Sequence, residues 1–349
     1  MTISLCLIIK DEQDVLDRCL SSFTDIVDEI IIVDTGSIDN SIEIAKKYTN
    51  KIYNYMWNND FASARNFSIS KASMDYFMWV DADDYLKEDQ KEKLFKLKSN
   101  ENSDIDMYYF LYDFNVNYEP FYRERLIKNN RKHMFKGKIH EAITPSGNIK
   151  YEDIIITQFD KNKPLSNRNI AIFESMKKEE FTLRDIYYYA KELYRHNKLE
   201  RSKKMFVKFI KSNEGYIEDI IDSYYVLSMI YKKENDFKNA LKALFESFNY
   251  DIPRANILSE IGSIYLQKQD IKKAIYYYQL ALNCSKNNKS FILKDYYGYI
   301  PCIQLSVCYY FLNDIDSAIK YNELANTYKK EGKEYMHNKD FYKKLIKID

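Results

Sequence analysis

Residues 75–84 read Asp75-Tyr76-Phe77-Met78-Trp79-Val80-Asp81-Ala82-Asp83-Asp84, an apolar run of strand length that ends in three carboxylates. An apolar run of this length between polar residues predicts a buried strand of a parallel sheet. Ligands of open α/β sheets bind beyond the carboxyl ends of the strands, so we expect Asp81, Asp83 and Asp84 to project into a ligand crevice. A solvated turn after the strand is the alternative that this stretch alone leaves open.

The close spacing of these carboxylates also favours a bound cation. Like charges repel one another unless a positive charge neutralises them. Carboxylate oxygens suit a hard divalent ion, Mg²⁺ or Mn²⁺, which commonly keeps coordination positions open for substrate phosphates. The stretch therefore predicts a divalent metal site at the end of its strand.

The sequence before this strand predicts an alternation of strands and helices. Apolar runs of strand length lie at residues 3–9, 29–33 and 51–57, and the segments between them have helical apolar periodicity. This alternation is typical of a doubly wound, mostly parallel α/β sheet. In such a sheet Asp11 and Asp34 would follow strands at the same edge as the carboxylates above, where they can bond a base or a ribose hydroxyl.

The N-terminal half contains few residues that are suited to bind phosphate. The sequence has neither a G-x-G-x-x-G motif nor a Walker lysine loop, so a nucleotide diphosphate would have to be held mainly through a metal. Arg65 is suited to pair with a diphosphate or to brace the carboxylates. A purely structural ion pair with a nearby aspartate is the remaining interpretation of that residue.

Residues 105–143 contain a second group of candidate functional residues. Aromatic residues at alternate positions of 105–116 predict a strand whose rings either stack on a sugar or fill the core. Segments 123–127 and 135–143 predict two strands that pair around a polar turn. Neighbouring strand residues point to opposite faces, so His140 and Glu141 serve one centre only if the chain bends there.

A repeated pattern fills the C-terminal half. Three segments share an Asp, an apolar residue directly after it and an Ala four positions after it: 236–241, 270–275 and 314–319. Their spacing is 34 residues and then 44, the second being one repeat plus a ten-residue insertion, and a weaker copy starts at Leu199. The period resembles that of tetratricopeptide repeats, whose stacked helix pairs leave a concave groove.

The change of period predicts two domains. We expect an α/β domain over residues 1–162 and an all-α repeat domain over 163–349, joined by a polar linker at 161–167. The repeats would dock a peptide acceptor, form a homodimer or act only as a scaffold.

Composition excludes several other classes of protein. The formal net charge of +1 provides no broad basic field for nucleic acid, and no apolar run approaches the length of a membrane span. The apolar stretch at the N-terminus is too short for a secretory signal, and the five cysteines lack metal-ligand spacing. We therefore expect a cytoplasmic protein without a nucleic-acid partner or a membrane span.

Four motifs in the first 84 residues resemble the family 2 glycosyltransferases of the GT-A fold. They are residues 4–12 (SLCLIIKDE), 31–37 (IIVDTGS), 59–66 (NDFASARN) and 79–84 (WVDADD). The fusion to helical repeats is similar to the bacterial branch that includes the sublancin-type bacteriocin-peptide S- and O-glycosyltransferases. The resemblance implies a hexosyltransferase with a Rossmann-like catalytic domain, a UDP-sugar donor, and Mn²⁺ or Mg²⁺ at a DxD motif.

The resemblance also implies roles for single residues on the donor side. Asp34 and Arg65 would contact the nucleoside, Asp81 would contact the ribose or the metal, and Asp83 would be a metal ligand. The other donor-binding residues implied by these motifs are Lys10, Asp11, Glu12, Thr35, Gly36, Ser37 and Ala82. Asp11 departs from the family, which commonly has Asn there, and an Asp can accept a hydrogen bond from a base but cannot donate one.

His140 and Glu141 match the Gly-x-(Val/Ile)-His-Glu segment that closes the acceptor side in this family. Inverting transfer needs a general base that deprotonates the acceptor, and Glu141 is the candidate. Relatives often have a His at the position of Gln158. Because Gln is not a strong metal ligand, His140 becomes the stronger candidate for a metal or phosphate contact. The implied catalytic residues are Glu141, Asp83 and His140, and the implied metal ligands are Asp83, Asp81 and His140.

Together these observations predict an inverting, metal-dependent glycosyltransferase. We expect it to move a sugar from a UDP-sugar to a Ser, Thr or Cys side chain of a peptide or protein, such as flagellin or a bacteriocin. One alternative is an enzyme that acts on a cell-surface polysaccharide or a lipid-linked glycan. An alternative of another class is a non-catalytic binding protein built on the repeats.

Overall fold

A computed structural model describes residues 1–99, 104–159, 165–286 and 292–346. The chain divides into two compact units, Met1–Glu180 and Phe181–Asp349. The predicted domain boundary after residue 162 and the first part of the predicted linker lie outside the described residues. That boundary therefore stays a prediction.

The N-terminal unit alternates strands and helices. Its strands are β1 (Ile3–Ile9), β2 (Glu29–Asp34), β3 (Ile52–Asn54), β4 (Tyr76–Trp79), β5 (Asp84–Leu86), β6 (Met107–Asp113), β7 (Phe121–Lys128), β8 (Phe135–Lys136), β9 (Ala142–Ile143) and β10 (Ile149–Gln158). Its helices are α1 (Leu16–Phe23), α2 (Ser41–Ala45), α3 (Phe61–Ser70), α4 (Glu88–Ser99) and α5 (Arg168–Ser175). The guanidinium of Arg168 lies 4.7 Å from the ring centre of Phe61, a contact that joins α5 to this unit.

Eight of these strands form one mixed sheet in the order β3-β2-β1-β4-β7-β6-β10-β5. β1 is parallel to β2 and to β4, and β2 is parallel to β3. The chain moves outward from β1 to β3 and then places β4 on the other side of β1. The strand order reverses between β1 and β4, and ligands of such sheets bind at this switch point. The predicted doubly wound α/β fold is confirmed.

Helices cover both faces of the sheet, which explains the continuous apolar runs of its central strands. Successive residues of β1 point to opposite faces. On one face Leu5 and Leu7 belong to the same buried cluster as Leu20 of α1. On the other face Cys6 belongs to a second cluster with Ile69 of α3. Every residue of β1 except the partly exposed Ile8 is therefore buried, whichever way it points.

The predicted pairing of segments 123–127 and 135–143 is wrong. β7 lies between β4 and β6 and is antiparallel to both, while β8 pairs with β9 in a separate two-stranded sheet. The backbone of the second segment explains the difference. Gly137 and His140 have φ values of 96° and 51°, which curl the residues between β8 and β9 into a loop.

The C-terminal unit is built of α-helices and short 3₁₀ turns. Its helices are α6 (Leu183–Arg195), α7 (Leu199–Ser212), α8 (Ile217–Lys233), α9 (Phe237–Glu246), α10 (Ala255–Gln267), α11 (Ile271–Leu282), α12 (Tyr299–Phe311), α13 (Ile315–Tyr328) and α14 (Lys333–Ile346). Consecutive helices pack as the pairs α6–α7, α8–α9, α10–α11 and α12–α13, which confirms the predicted repeat fold. No helix among the described residues of the chain is both long and apolar enough to cross a bilayer.

The repeated Asp and Ala residues have the same local role in each copy. Asp236, Asp270 and Asp314 are N-caps whose side chains accept a hydrogen bond from the backbone N–H three residues later. The residue before each Asp has a left-handed backbone, and the Ala four positions after it is fully buried. The repeat period therefore reflects one capped turn and one small buried residue in each of the pairs α8–α9, α10–α11 and α12–α13, whereas Lys198 before α7 makes no capping side-chain bond.

Enlarging one repeat alanine tests how close this packing is. Ala274 is fully buried in a cluster with Tyr278, Leu305 and Cys308, so Ala274→Leu should overpack the cluster and destabilise the helical unit by about 1–3 kcal/mol. Lys272→Leu, at an exposed position of the same helix, should stay close to the parent protein. Urea denaturation of the full chain followed by circular dichroism measures both, and equal stability of the two variants would contradict the close packing.

Candidate active site

A cavity of about 630 Å³ opens at the carboxyl ends of β1, β2 and β4. It lies at the switch point where the strand order reverses, as expected for this type of sheet. Nine of the predicted site residues line it: Lys10, Glu12, Thr35, Arg65, Asp81, Ala82, Asp83, His140 and Glu141. The fold thus brings together residues from both ends of the N-terminal unit.

The other four predicted residues do not line the cavity but shape the loop after β2: Asp11, Asp34, Gly36 and Ser37. The Asp34 carboxylate accepts hydrogen bonds from the N–H of Gly36 at 3.1 Å and from the N–H of Ser37. Oδ1 of Asp11 accepts from the N–H of Ile38 at 2.8 Å. Asp11 has a φ of 52°, a conformation that Asp and Asn both tolerate, so this departure from the family is compatible with the backbone. Their contacts with a donor stay predictions.

Oxygen ligands for a cation lie on the cavity wall. Asp81 and Asp83 are partly exposed there, and carboxylate oxygens of Asp81, Asp83 and Asp84 lie within 4.8 Å of one another. Nε2 of Gln158, at the end of β10, donates to Oδ2 of Asp83 at 3.3 Å. Mg²⁺ and Mn²⁺ prefer oxygen ligands with room for substrate, so the cavity-lining carboxylates of Asp81 and Asp83 fit the predicted divalent ion.

Asp84 does not project into the cavity, and the expectation that it would is wrong. Its side chain is fully buried, 3.0 Å from Nη1 of Arg125, and it accepts a hydrogen bond from the hydroxyl of Tyr112 at 2.8 Å. The tight turn at residues 81–84 directs this third carboxylate into the core. Burial there raises the pKa of Asp84 to about 6, although the positive charge of Arg125 acts to lower it. Asp84 anchors the turn that presents the other two carboxylates.

Arg65 joins two sides of the cavity through two ion pairs. Its Nη2 lies 2.6 Å from Oδ1 of Asp81, and its Nε lies 2.5 Å from Oε1 of Glu141. The guanidinium also lies 4.8 Å from the ring centre of Trp79. Burial would raise the pKa of Asp81, but the charge of Arg65 holds that pKa below its usual range. Arg65 therefore braces the two carboxylates, and its contact with a donor stays a prediction.

The chain bends at His140, so that His140 and Glu141 both line the cavity. His140 has a φ of 51°, a left-handed backbone that is uncommon for residues other than glycine. The N–H of Phe61 at the start of α3 donates to the carbonyl of Lys138 at 2.8 Å and holds the bend in place. The condition under which these two neighbouring residues serve one centre is therefore met.

The motif at 59–66 explains how α3 holds this loop. Asp60 caps the helix by accepting a hydrogen bond from the N–H of Ser63 at 2.8 Å. The side-chain amide of Asn66 donates to the carbonyl of Phe135 at 3.0 Å and accepts from its N–H at 2.8 Å. These bonds tie β8, and the loop that follows it, to the helix that carries the bridging arginine.

Several residues of the cavity wall had no predicted role, among them Trp57 and Arg123. Trp57 lines the cavity with its ring 4.8 Å from that of Phe61, and Arg123 lies 4.5 Å from the ring centre of Trp79. Aromatic residues are so frequent in this chain that Trp57 carries no distinctive signal. The alternation of Arg123 and Arg125 along one predicted strand is a usable signal, because a buried strand face with two cations requires partners.

Comparison with known proteins identifies the family of the N-terminal unit. Residues 4–172 match the family described as glycosyl transferase family 2. The N-terminal unit is a family 2 glycosyl transferase domain. The match extends from β1 into α5 and includes all the cavity residues named above. Residues 221–248 and 255–288 match the tetratricopeptide repeat.

Three relatives show the range of the similarity. A TPR repeat-containing protein of Synechococcus elongatus is 44% identical over 84 residues, which are 24% of this chain and 21% of that protein. The SPbeta prophage-derived glycosyltransferase SunS of Bacillus subtilis is 24% identical over 261 residues, covering 68% of this chain and 60% of SunS. A cholesterol galactosyltransferase of Borreliella burgdorferi is 26% identical over 166 residues, 45% of each chain. The chain thus spans less than two thirds of each relative.

A double-mutant cycle tests whether Arg65 and Glu141 act as one unit in the transferase domain. Arg65→Met should destabilise the protein by about 3–5 kcal/mol because it leaves the buried carboxylate of Glu141 without its cation. Adding Glu141→Gln removes that charge, so the double variant should recover about 0.5–3 kcal/mol relative to the sum of the single losses. Urea denaturation measures the cycle. Strictly additive losses of stability would contradict a direct bond between Arg65 and Glu141. Arg18 is an exposed arginine outside the cavity and serves as the control. The same coupling energy between Glu141→Gln and Arg18→Met would also contradict the bond.

Proposed function

We propose that this chain is an inverting glycosyltransferase that uses a divalent metal and moves a sugar from a UDP-sugar to a Ser, Thr or Cys side chain of a peptide or protein. The observation that carries the proposal is one cavity whose wall includes the donor-side carboxylates Asp81 and Asp83 together with His140 and Glu141. These residues belong to the family 2 domain. Their common location suits a reaction in which one group binds a leaving diphosphate while another receives the proton of the acceptor.

The donor is assigned to the carboxyl ends of β1, β2 and β4. Asp83 and Asp81, with His140 as a further ligand, would hold Mn²⁺ or Mg²⁺, which when bound neutralises the charge on the leaving diphosphate. The remaining donor contacts are assigned to the wall residues Lys10, Glu12, Thr35, Arg65 and Ala82, and to the loop shaped by Asp11, Asp34, Gly36 and Ser37. These backbone turns and carboxylates offer acceptors for a base and a ribose.

Glu141 is the proposed general base. The bond from Nε of Arg65 to its Oε1 fixes the direction of the carboxylate at the cavity wall. A base held in this way takes the proton of the acceptor hydroxyl or thiol while the oxygen or sulfur attacks the anomeric carbon from the side opposite the leaving group. Attack from that side inverts the configuration of the sugar.

A peptide or protein acceptor is supported by the C-terminal repeats. Stacked helix pairs present an extended concave surface of the kind that holds peptide segments, and the same surface can form a homodimer. The resemblance to bacteriocin-peptide glycosyltransferases points in the same direction. The cholesterol galactosyltransferase among the relatives favours a second candidate, transfer to a lipid or lipid-linked glycan.

Replacing Asp83 tests the metal and the donor together. In the parent protein Mn²⁺ should increase both the affinity for UDP and the melting temperature, since a ligand of the folded state stabilises it by mass action. Asp83→Asn should weaken Mn²⁺-dependent UDP binding by about tenfold or more because it removes a charged ligand. Asp14→Asn, an exposed carboxylate outside the cavity, should bind as the parent does. Calorimetric titration with Mn²⁺, Mg²⁺ and chelator provides the measurement, and unchanged binding by Asp83→Asn would remove Asp83 from the site.

Product analysis distinguishes the acceptors. With a panel of UDP-sugars and Mn²⁺, mass spectrometry should detect the addition of one sugar to peptides that contain Ser, Thr or Cys. Glu141→Gln should slow this transfer by about 10²–10⁴-fold, the usual contribution of a general base, while UDP affinity is retained. Sugar found on lipid and absent from every peptide would favour the second candidate. No release of UDP from any donor would favour a non-catalytic binding protein.

A further inference from the structure

Arg123 differs from the other cations of the cavity in its place in the sheet. β7 is antiparallel to β4, so the N-terminal residues of β7 lie at the carboxyl end of β4. Arg123 and Arg125 alternate along β7, and their guanidinium carbons lie 4.5 and 4.1 Å from the ring centre of Trp79. Arg125 is fully buried within the sheet, whereas Arg123, two residues nearer the carboxyl edge, lines the cavity.

The arginines around the cavity also differ in what neutralises them. Arg125 pairs with Asp84, and Arg65 pairs with two carboxylates at once. Among the described residues, Arg123 has no carboxylate within ion-pair distance, and its contacts are with the aromatic rings of β4 and β6. Arg123 is therefore a half-buried cation that faces the cavity without a direct ion pair to a described carboxylate, although it lies near enough to Asp81 for its charge to lower the pKa of that carboxylate.

This arrangement prepares a guanidinium for an anionic ligand. Partial burial removes water from the charged group, and only an oxygen acceptor or an anion compensates for that loss. Contact with an aromatic face orients the guanidinium plane and leaves the N–H groups at its edge to point away from the ring. The planar fork then matches two oxygens of a phosphate or a carboxylate, in hydrogen bonds that are stronger than neutral ones.

We propose that Arg123 binds an oxyanion of the substrate in this cavity. That chemistry is shared by a phosphate of the donor diphosphate and by the carboxylate of an acidic sugar. In the first case Arg123 holds the leaving group, and in the second it selects the sugar. The inference rests on the proposed function for the identity of the donor, while the anion-binding role itself rests on the placement of Arg123 on β7.

Binding measurements with four probes separate these sources. The parent protein, Arg123→Gln and Arg123→Lys are titrated with UDP, uridine, inorganic pyrophosphate and UDP-glucuronate in the presence of Mn²⁺. If Arg123 holds the diphosphate, Arg123→Gln should weaken UDP and pyrophosphate by about tenfold or more and leave uridine unchanged. If Arg123 holds a sugar carboxylate, the variant should lose the preference for UDP-glucuronate over UDP. Arg123→Lys keeps the charge without the fork and should lie between the parent and Arg123→Gln.

Arg18→Gln is the matched control. Arg18 lies 3.8 Å from the ring centre of Phe159 and does not line the cavity, so its removal should leave all four affinities at the parent value. Equal losses for uridine and UDP in Arg123→Gln would show that Arg123 only supports the fold and would overturn the inference. Unchanged affinity for every anionic probe, or a parent protein that binds none of them, would overturn it as well.

The outcomes also separate this inference from the proposed function. If the parent protein binds UDP and Arg123→Gln changes the affinity for neither UDP nor UDP-glucuronate, the inference is contradicted and the proposed donor stands. Pyrophosphate binding that depends on Arg123, with no gain in affinity from the uridine part of UDP, upholds the anion site and contradicts the proposed donor.

Discussion

The buried guanidinium of Arg65 is the constraint on which the cavity depends. It bonds Asp81 at the end of β4 and Glu141 in the loop between β8 and β9. Without a cation between them, these carboxylates would repel each other where little water screens their charge. With Arg65 in place, the edge of the sheet and the loop form one wall.

Charge matching continues from this wall into the sheet along β4 and β7. Arg125 neutralises Asp84 in the core, and Arg65 neutralises the carboxylates at the surface of the cavity. The ring of Trp79 lies against the guanidinium groups of Arg65, Arg123 and Arg125. Cation–π contacts attract a cation without neutralising it. One tryptophan can therefore orient both the arginines that are paired within the protein and one that faces the cavity.

The two units differ in the range of the contacts that specify them. In the repeats, each Asp caps its own helix through a hydrogen bond to a residue three positions away, and the small buried residue follows at a constant offset. Such local contacts leave a period in the sequence. In the transferase domain, the contacts that build the cavity join distant segments, as when Asn66 holds Phe135 or Arg65 holds Glu141. These long-range contacts leave no periodic pattern in the sequence.

The sequence by itself determined the doubly wound sheet, the helical repeats and nine of the residues on the cavity wall, because strand ends, apolar periods and short motifs are local properties. Only the tertiary structure decided which way each charge points. Asp83 and Asp84 are chemically identical neighbours, yet one tight turn sends Asp84 to Arg125 in the core. The partners of β7 and the bend at His140 were likewise beyond local pattern. Strand pairing and burial depend on contacts between segments far apart in the chain, and these form only when the whole domain folds.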